Sequence, residues 1–149
     1  MPQTATSENL VLTATFAVEI DNVQIAFFKA CSGLSTESTV VEHKVVNVKG
    51  QLITQKVPGH TQYADIVLRK SLDGAADLAS WRAQVEQGQY TDYRRNGSIV
   101  LIDSMGTEVA RWNFKDGWPS HWKGSDLDAA ADEIAIEEVT IAHEGLERA

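Results

Sequence analysis

An alternating run near the N-terminus is the strongest constraint on how this chain folds. Its apolar residues share one parity: Leu10, Leu12, Ala14, Phe16, Val18 and Ile20. Because successive side chains of a strand point to opposite faces, this period of two predicts a half-buried β-strand. Asp21-Asn22 then separates the run from Val23–Phe28, and a two-residue break of this composition is typical of a tight hairpin. We therefore expect two antiparallel strands here.

The next strand signals lie in a stretch rich in Val and Thr. Thr39–Val48 carries the first, and Gln51–Val57 resumes the pattern after Lys49-Gly50. These residues predict either a second hairpin or an extended arm. The stretch has little aromatic content to anchor it against a core.

Another half-buried strand is expected at Tyr63–Arg69, after Pro58-Gly59 punctuates the chain. Its side chains divide into two sets, with Ala64, Ile66 and Leu68 on one face and Tyr63, Asp65 and Arg69 on the other. The first set is the more apolar and should face the core.

The C-terminal half carries a third hairpin and a final strand. Ser98–Ile102 and Glu108–Phe114 flank a turn around Ser104–Gly106. In the final strand Ile134 and Ile136 have one parity, whereas Val139 and Ile141 have the other. A β-bulge near Glu137-Glu138 would place all four on one face, so we predict a bulge there.

One helix is predicted between these strand regions. Asp73 can cap its N-terminus, Asp77 favours the positive end of the helix, and Gly88 is placed to stop it. Its residues at helical spacing are Ala75, Leu78, Trp81, Arg82 and Val85, a narrow stripe that should lie against a sheet.

Several strands, one helix and short connections predict a mainly β fold, either a barrel or a sandwich. The chain has 149 residues, of which 43% are hydrophobic and 23% charged. That length and balance fit one domain with a substantial core, spanning residues 1–149. We expect residues 1–9 to form a flexible N-terminal segment.

Charge and cysteine content argue against several classes of protein. There are 13 Lys and Arg against 21 Asp and Glu, and a formal charge of −8 disfavours binding to nucleic acid or anionic membranes. The single cysteine, Cys31, allows no intrachain disulfide and fits a reducing compartment. The N-terminal residues read as neither a signal peptide nor a membrane anchor, so we expect folding in the cytoplasm.

Candidate catalytic residues lack the patterns that their chemistry needs. Cys31 has no histidine-containing signature beside it and is more typical of a small buried apolar residue. Ser32-Gly33 lacks the flanking glycines of a hydrolase elbow. The histidines His43, His60, His121 and His143 are scattered, with no metal pair at i, i+4 spacing. We predict no catalytic, cofactor-binding or metal-binding residues.

Two further groups of residues are candidate ligand sites. Asp126-Leu127-Asp128 with Glu137 matches three positions of a calcium loop, but Ala130 and Ala131 occupy a ligand position and the required glycine. A solvated acidic loop is the better interpretation. The aromatic residues Trp112, Phe114, Trp118 and Trp122 could stack on a sugar or base. The shared parity of the first two favours core packing, and the last two, around Pro119 in a predicted loop, are candidates for a partner surface.

A series of short segments carries a resemblance. They are Phe16–Asp21, Cys31–Leu34 followed by Glu37, Val57–Tyr63, Arg94–Ser98, Ala110–Lys115, Gly117–Ser120, Ile136-Glu137 and Ala142–Leu146. In this order they resemble the tail-tube protein family of contractile phage tails and phage-tail-like extracellular contractile injection systems. One departure is Asn22, where relatives usually carry glycine, although asparagine tolerates the left-handed conformation.

The resemblance implies a fold and an assembly. The fold would be a β-barrel-like pair of packed sheets with one flanking helix, shared with the haemolysin-coregulated tube protein of type VI secretion. Copies would form hexameric rings that stack into a hollow tube inside a contractile sheath. Pairing between neighbours would remove the exposed edges of an open barrel.

The same resemblance implies the partners. They are copies of the chain itself, a contractile sheath protein, baseplate or tube-initiator proteins, a tube terminator or cap, and a lumen cargo or tape-measure protein. No cofactor, direct membrane anchor or sequence-specific nucleic acid is implied. Assembly would occur in the bacterial cytoplasm, into a particle or virion tail.

Sheath contraction would propel the tube through a target envelope to deliver cargo. Phe16–Phe28 would supply lumen-side strands, and the arm Val40–Val57 would reach an adjacent ring. Two alternatives stay open at this point. The chain could be a tube-initiator or baseplate adaptor of the same fold, or a small-ligand-binding β-barrel.

Overall fold

The computed structural model describes residues 14–21, 23–71, 77–88, 92–124 and 135–149. In chain order the elements are β1 Ala14–Ile20, β2 Val23–Phe28, β3 Ala30–Ser32, β4 Thr36–Val46, β5 Leu52–Tyr63, β6 Ile66–Ser71, α1 Asp77–Glu86, β7 Arg95–Asp103, β8 Glu108–Gly124, β9 Ile136–Ala142 and β10 Gly145–Arg148. The predicted first and third hairpins are confirmed as β1–β2 and β7–β8.

Two layers of antiparallel strands make up the body. The strands follow the order β2-β1-β7-β8-β9-β6-β3, and β10 pairs beside β8. The 17-residue β8 belongs to both layers, because its first half pairs with β7 and β10 and its second half with β9. We call β2, β1, β7, the first half of β8 and β10 the first layer. The second half of β8 with β9, β6 and β3 is the second layer.

The layers meet again at Lys29. This residue follows the last residue of β2 in the first layer and precedes the first residue of β3 in the second. Its backbone N–H donates a 2.8 Å hydrogen bond to the carbonyl oxygen of Arg69 in β6. The predicted mainly β, barrel-like fold is confirmed. This bond links the β2 end of the strand order to β6, which lies beside β3 at the other end.

Apolar side chains from both layers fill the space between them. The buried cluster contains Val18, Ile20, Phe28, Ile66, Leu68, Leu78, Trp81, Ile99, Phe114, Val139 and Ile141. Val18 and Ile20 have the parity that the alternating run predicted. Each such side chain contributes about 1.5–3 kcal/mol when fully buried. The barrel interior is therefore a packed core.

Helix α1 covers this core, as predicted, with Leu78 and Trp81 buried beneath it. The Trp81 indole N–H donates to the carbonyl of Tyr93 at 2.7 Å, and the Arg82 guanidinium donates to the carbonyl of Pro119 in β8 at 3.0 Å. Gly88, at φ 73°, follows the last turn as expected. Asp73 and Ala75 lie outside the described residues.

Three details differ from the sequence prediction. Trp118 and Trp122 belong to strand β8 and not to a loop, because the bulge between Pro119 and His121 lets the strand pass the proline and continue. Ala64 is exposed in the break between β5 and β6, so only Ile66 and Leu68 of its predicted set reach the core.

The predicted bulge in β9 is wrong. Strand β9 pairs with β6 in unbroken register, which puts Glu137 on the core side with Val139 and Ile141. Glu137 is buried because Lys70, its partner in β6, lies beside it at 3.7 Å. Ile136 therefore takes the opposite face, with 41% of its surface exposed. Ile134 is outside the described residues.

Candidate assembly surfaces

Strands β4 and β5 form a two-stranded ribbon that we call the arm. Within the described residues they pair with each other and with no other strand. The predicted second hairpin is confirmed, and it stands apart from the other described strands as an arm. Pro58-Gly59 lies inside β5 and does not end it. A register shift near Ser38 and Val40 accommodates these two residues, and a side chain on Gly59 would overlap the Thr39 hydroxyl.

Hydrogen bonds fix the tip of the arm. The Asn47 side-chain oxygen accepts bonds from the backbone N–H groups of Lys49 and Gln51, both at 2.9 Å. The Asn47 carbonyl accepts a third from Gly50, whose φ of 78° requires a residue tolerant of the left-handed region. Val48 is fully exposed on this turn. The tip is thus a rigid turn that presents an apolar side chain to solvent.

Both faces of the arm expose apolar side chains. They are Val40, Val41, Val46, Leu52 and Ile53, each at least 44% exposed. Between the apolar ends, Glu42 and Lys56 form an exposed ion pair at 4.0 Å. Strand surfaces of this kind are candidate protein-contact sites.

Close contacts at its base fix the arm to the body. Gly33, at φ 84°, lies so near Asp65 that a side chain there would overlap the Asp65 carbonyl. The His143 ring is hydrogen-bonded to the carbonyl of Ala64 at 2.9 Å and lies 5.7 Å from the Tyr63 ring. The arm therefore leaves the body at a defined point.

Within the described residues, the two outermost strands of the first layer have no strand partner along their outer edges. At one side the outermost strand is β2, and at the other it is β10 beside β8. Such edges expose backbone N–H and carbonyl groups that can pair with another chain. Because the two edges differ, pairing would be head to tail between copies.

The outer face of the first layer carries a charged cluster. Arg111 of β8 donates to both carboxylate oxygens of Glu19 in β1 and also to Glu108. The bonds to Glu19, then those to Glu108, raise the pKa of Arg111. The Arg111 guanidinium holds the pKa of Glu108 below its ordinary value. Beside the cluster, Ser98 donates to Asn113 at 2.6 Å.

An open groove of about 700 Å³ lies at the end of the first layer near the base of the arm. Asp21 and Glu147 supply carboxylates, and Lys115 supplies an ammonium group. Tyr63, the last residue of β5, also lines it. Its lining is mainly polar, with Leu146 and the largely buried Phe114 among the apolar members.

The residues considered as catalytic or metal-binding candidates lie on different elements of the fold. Cys31 lies half-buried on β3, paired with Leu68, and burial raises the pKa of its thiol to about 12. His43 and His60 are on the arm, His121 on β8, and His143 between β9 and β10. In the described part of the chain, no three His, Cys, Asp or Glu residues form a metal-binding group. Asp126 and Asp128 lie outside it.

The aromatic residues serve packing. Phe114 is buried, and Trp112 packs against the core with Arg148 over its ring at 5.5 Å. Trp118 also packs against the core. Trp122 is 41% exposed, and its indole N–H donates to Glu137 at 2.7 Å. Core packing of Trp112 and Phe114 is confirmed.

Sequence reasoning missed Asn47, His143 and the pair Lys70–Glu137. An Asn three residues before Gly50 is a readable turn signal for the tip. The roles of His143 and of the buried pair depend on contacts between distant strands, which no local pattern reveals. Of the helices in the described ranges, none has the length and apolarity to traverse a bilayer.

A family model described as T4-like virus tail tube protein gp19 matches residues 1–147. This chain belongs to the tail tube protein family. The resemblance stated from the sequence segments is thereby confirmed. The family is one of structural tube proteins. A search of curated proteins finds no match.

Solved structures share the tail tube fold. A chain of the sheath–tube complex of an extracellular contractile injection system (PVC) has a TM-score of 0.76 at 23% identity, covering 99% of both chains. A chain of the PVC sheath/tube terminator has a TM-score of 0.70 at 25% identity, covering 90% of this chain and 92% of that one. Hcp1 from Flavobacterium johnsoniae has a TM-score of 0.53 at 12% identity, covering 90% and 94%. The predicted similarity to the haemolysin-coregulated tube protein is confirmed for the fold.

Proposed function

We propose that this chain is the inner-tube subunit of a contractile injection system. It works as one domain spanning residues 1–149, without catalysis. The observation that carries the proposal is the family match over residues 1–147, joined to a body whose first layer has different free edges on its two sides. A subunit with two different edges of this kind can associate head to tail with copies of itself.

Ring formation is the first step. The β2 edge of one copy pairs with the β10 side of the next, and rotation closes six copies into a ring, the number that the family resemblance implies. The outer face of the first layer, with Glu19, Arg111 and Glu108, then lines the lumen. Pairing satisfies backbone groups that a single copy leaves to solvent.

Stacking is the second step. The arm reaches an adjacent ring, and its exposed valines and Leu52 are buried there. Rings assembled in the bacterial cytoplasm grow on a baseplate initiator, are surrounded by the sheath and end at a terminator or cap. Sheath contraction drives the rigid tube through a target envelope and delivers the cargo in its lumen.

Electron microscopy of the purified full chain tests this proposal. We expect hexameric rings, and stacked tubes at high concentration or with a baseplate initiator. Single rings that never stack would instead indicate an initiator or adaptor. Monomers under all these conditions would overturn the proposal. Monomers stabilised against heat by an apolar ligand would favour a ligand-binding barrel.

A further inference from the structure

We propose that the groove at the end of the first layer receives the tip of the arm from a copy in the adjacent ring. This inference rests on the proposed function and adds the site where the arm binds. The tip comprises residues 47–51 with Val48 and Lys49, and the groove is lined by Asp21, Glu147 and Tyr63.

Charge favours this occupant. Residues 40–58 contain three lysines and one glutamate, a formal charge of +2. Because the whole chain carries −8, the remaining residues carry −10. Glu42 pairs with Lys56, and within the described residues Lys44 and Lys49 have no ion-pair partner. The outer part of the arm is therefore basic, since the other carboxylate of the arm, Glu37, lies near its base. Opposite potentials favour contact between this outer part and the acidic remainder of the chain.

The groove offers matching groups. Asp21 and Glu147 have no ion-pair partner in the described ranges, and they outnumber the single ammonium group of Lys115. Lys49 can bind these carboxylates while Val48 packs against Tyr63 and the half-buried Leu146. Because hydrogen bonds already fix the tip, little conformational entropy is lost when it binds.

Length also fits. Strand β4 has 11 residues, which span about 36 Å at the rise of a strand. The arm starts beside the groove of its own copy, since Tyr63 belongs to both. A shift of one arm length therefore brings the tip of one copy to the groove of the next. The axial spacing of rings should be about 36 Å.

A second turn is the rival occupant. Residues 103–107 between β7 and β8 repeat the hydrogen-bond pattern of the arm tip, with Asp103 in the place of Asn47. Met105 on this turn is 88% exposed. The flanking residues Asp103 and Glu108 are acidic, so they repel the carboxylates of the groove. The arm tip is the better match.

Charge reversal tests the contact in the full-length chain. Lys49→Glu and Glu147→Lys should each leave hexameric rings intact and raise the concentration needed for tube growth by about tenfold or more, because six contacts act together at each ring junction. The double variant Lys49→Glu/Glu147→Lys should restore tubes. Lys123→Glu, an exposed change in the second layer and outside the groove, is the matched control and should stack normally.

Cross-linking provides a second readout. In a Cys31→Ser background, Lys49→Cys with Glu147→Cys should give covalent ladders between rings, whereas Met105→Cys with Glu147→Cys should not. Normal stacking of both single variants, a double variant no better than either single one, or cross-linking through position 105 would overturn the inference. Wild-type rings in any of these cases would leave the proposed function standing.

Discussion

Arg111 of β8 reaches across β7 to bind both carboxylate oxygens of Glu19 in β1, at 2.9 and 3.2 Å. The pair ties together three strands of the first layer on its outer face. About a quarter of the Arg111 side chain is exposed, so solvent weakens the attraction.

Glu19→Gln should lower the free energy of unfolding by about 1 kcal/mol, because the bond to Arg111 loses its charge. Urea unfolding of the variant and the wild type measures this difference. Glu42→Gln, which removes the exposed 4.0 Å ion pair of the arm, is the matched control and should change stability by less than about 0.5 kcal/mol. Equal effects would show that the Glu19 pair contributes no more than a surface pair.

The charged cluster also predicts a pH dependence. Arg111 lowers the pKa of Glu108 in the folded chain, so the stability from this bond is present above the ordinary glutamate value of about 4.3. It is lost as pH falls through the lower, folded-state pKa. The stability difference between wild type and Glu108→Gln should therefore be largest near neutral pH and shrink in acid. A difference that grows in acid would contradict the assignment.

The buried pair Lys70–Glu137 should be costly to break. Lys70→Met leaves the Glu137 carboxylate buried with the Trp122 indole as its one remaining partner among the described residues, and we expect a loss of about 3–5 kcal/mol. The double variant Lys70→Met/Glu137→Leu should recover much of this loss. Urea unfolding of each variant measures it.

Neighbouring residues supply the control for that pair. Arg69 and Glu138 lie on the same two strands at 2.7 Å, on the exposed face. Arg69→Ala should cost at most about 1 kcal/mol. A loss from Arg69→Ala as large as that from Lys70→Met would refute the distinction between the two faces.

Gly33 should tolerate no side chain. Gly33→Ala both strains a positive φ and overlaps the Asp65 carbonyl, so we expect a loss of more than about 3 kcal/mol and a displaced arm. Gly106→Ala has a similar φ of 82° but no atom near the added carbon, and it should cost about 1 kcal/mol. Thermal unfolding of both variants measures the two losses of stability.

Local patterns were sufficient for the regular parts of the fold. The alternation through Val18 and Ile20 predicted β1 and its buried face, and Leu78 and Trp81 marked the buried side of α1. Gly88 was correctly placed at the end of that helix. These features depend on neighbours in sequence, which is why they could be predicted.

Features that depend on distant strands were missed. The apolar parities around Glu137 predicted a bulge, whereas the unbroken register with β6 buries Glu137 beside Lys70. Pro119 was taken as a loop residue because the bulge opposite β9 is invisible in sequence. The candidate surfaces likewise could not be predicted without the fold. The groove, for example, brings together Asp21 and Glu147, which lie near opposite ends of the chain.

The packed core has a consequence for how a passage could arise. Phe28, Ile66 and Ile141 are buried there, so side chains fill the interior of the subunit. A channel must then be enclosed by the outer surfaces of several subunits, and its diameter is set by the number of subunits in the ring. Widening it means adding a subunit, because no rearrangement of side chains inside one chain would open a path.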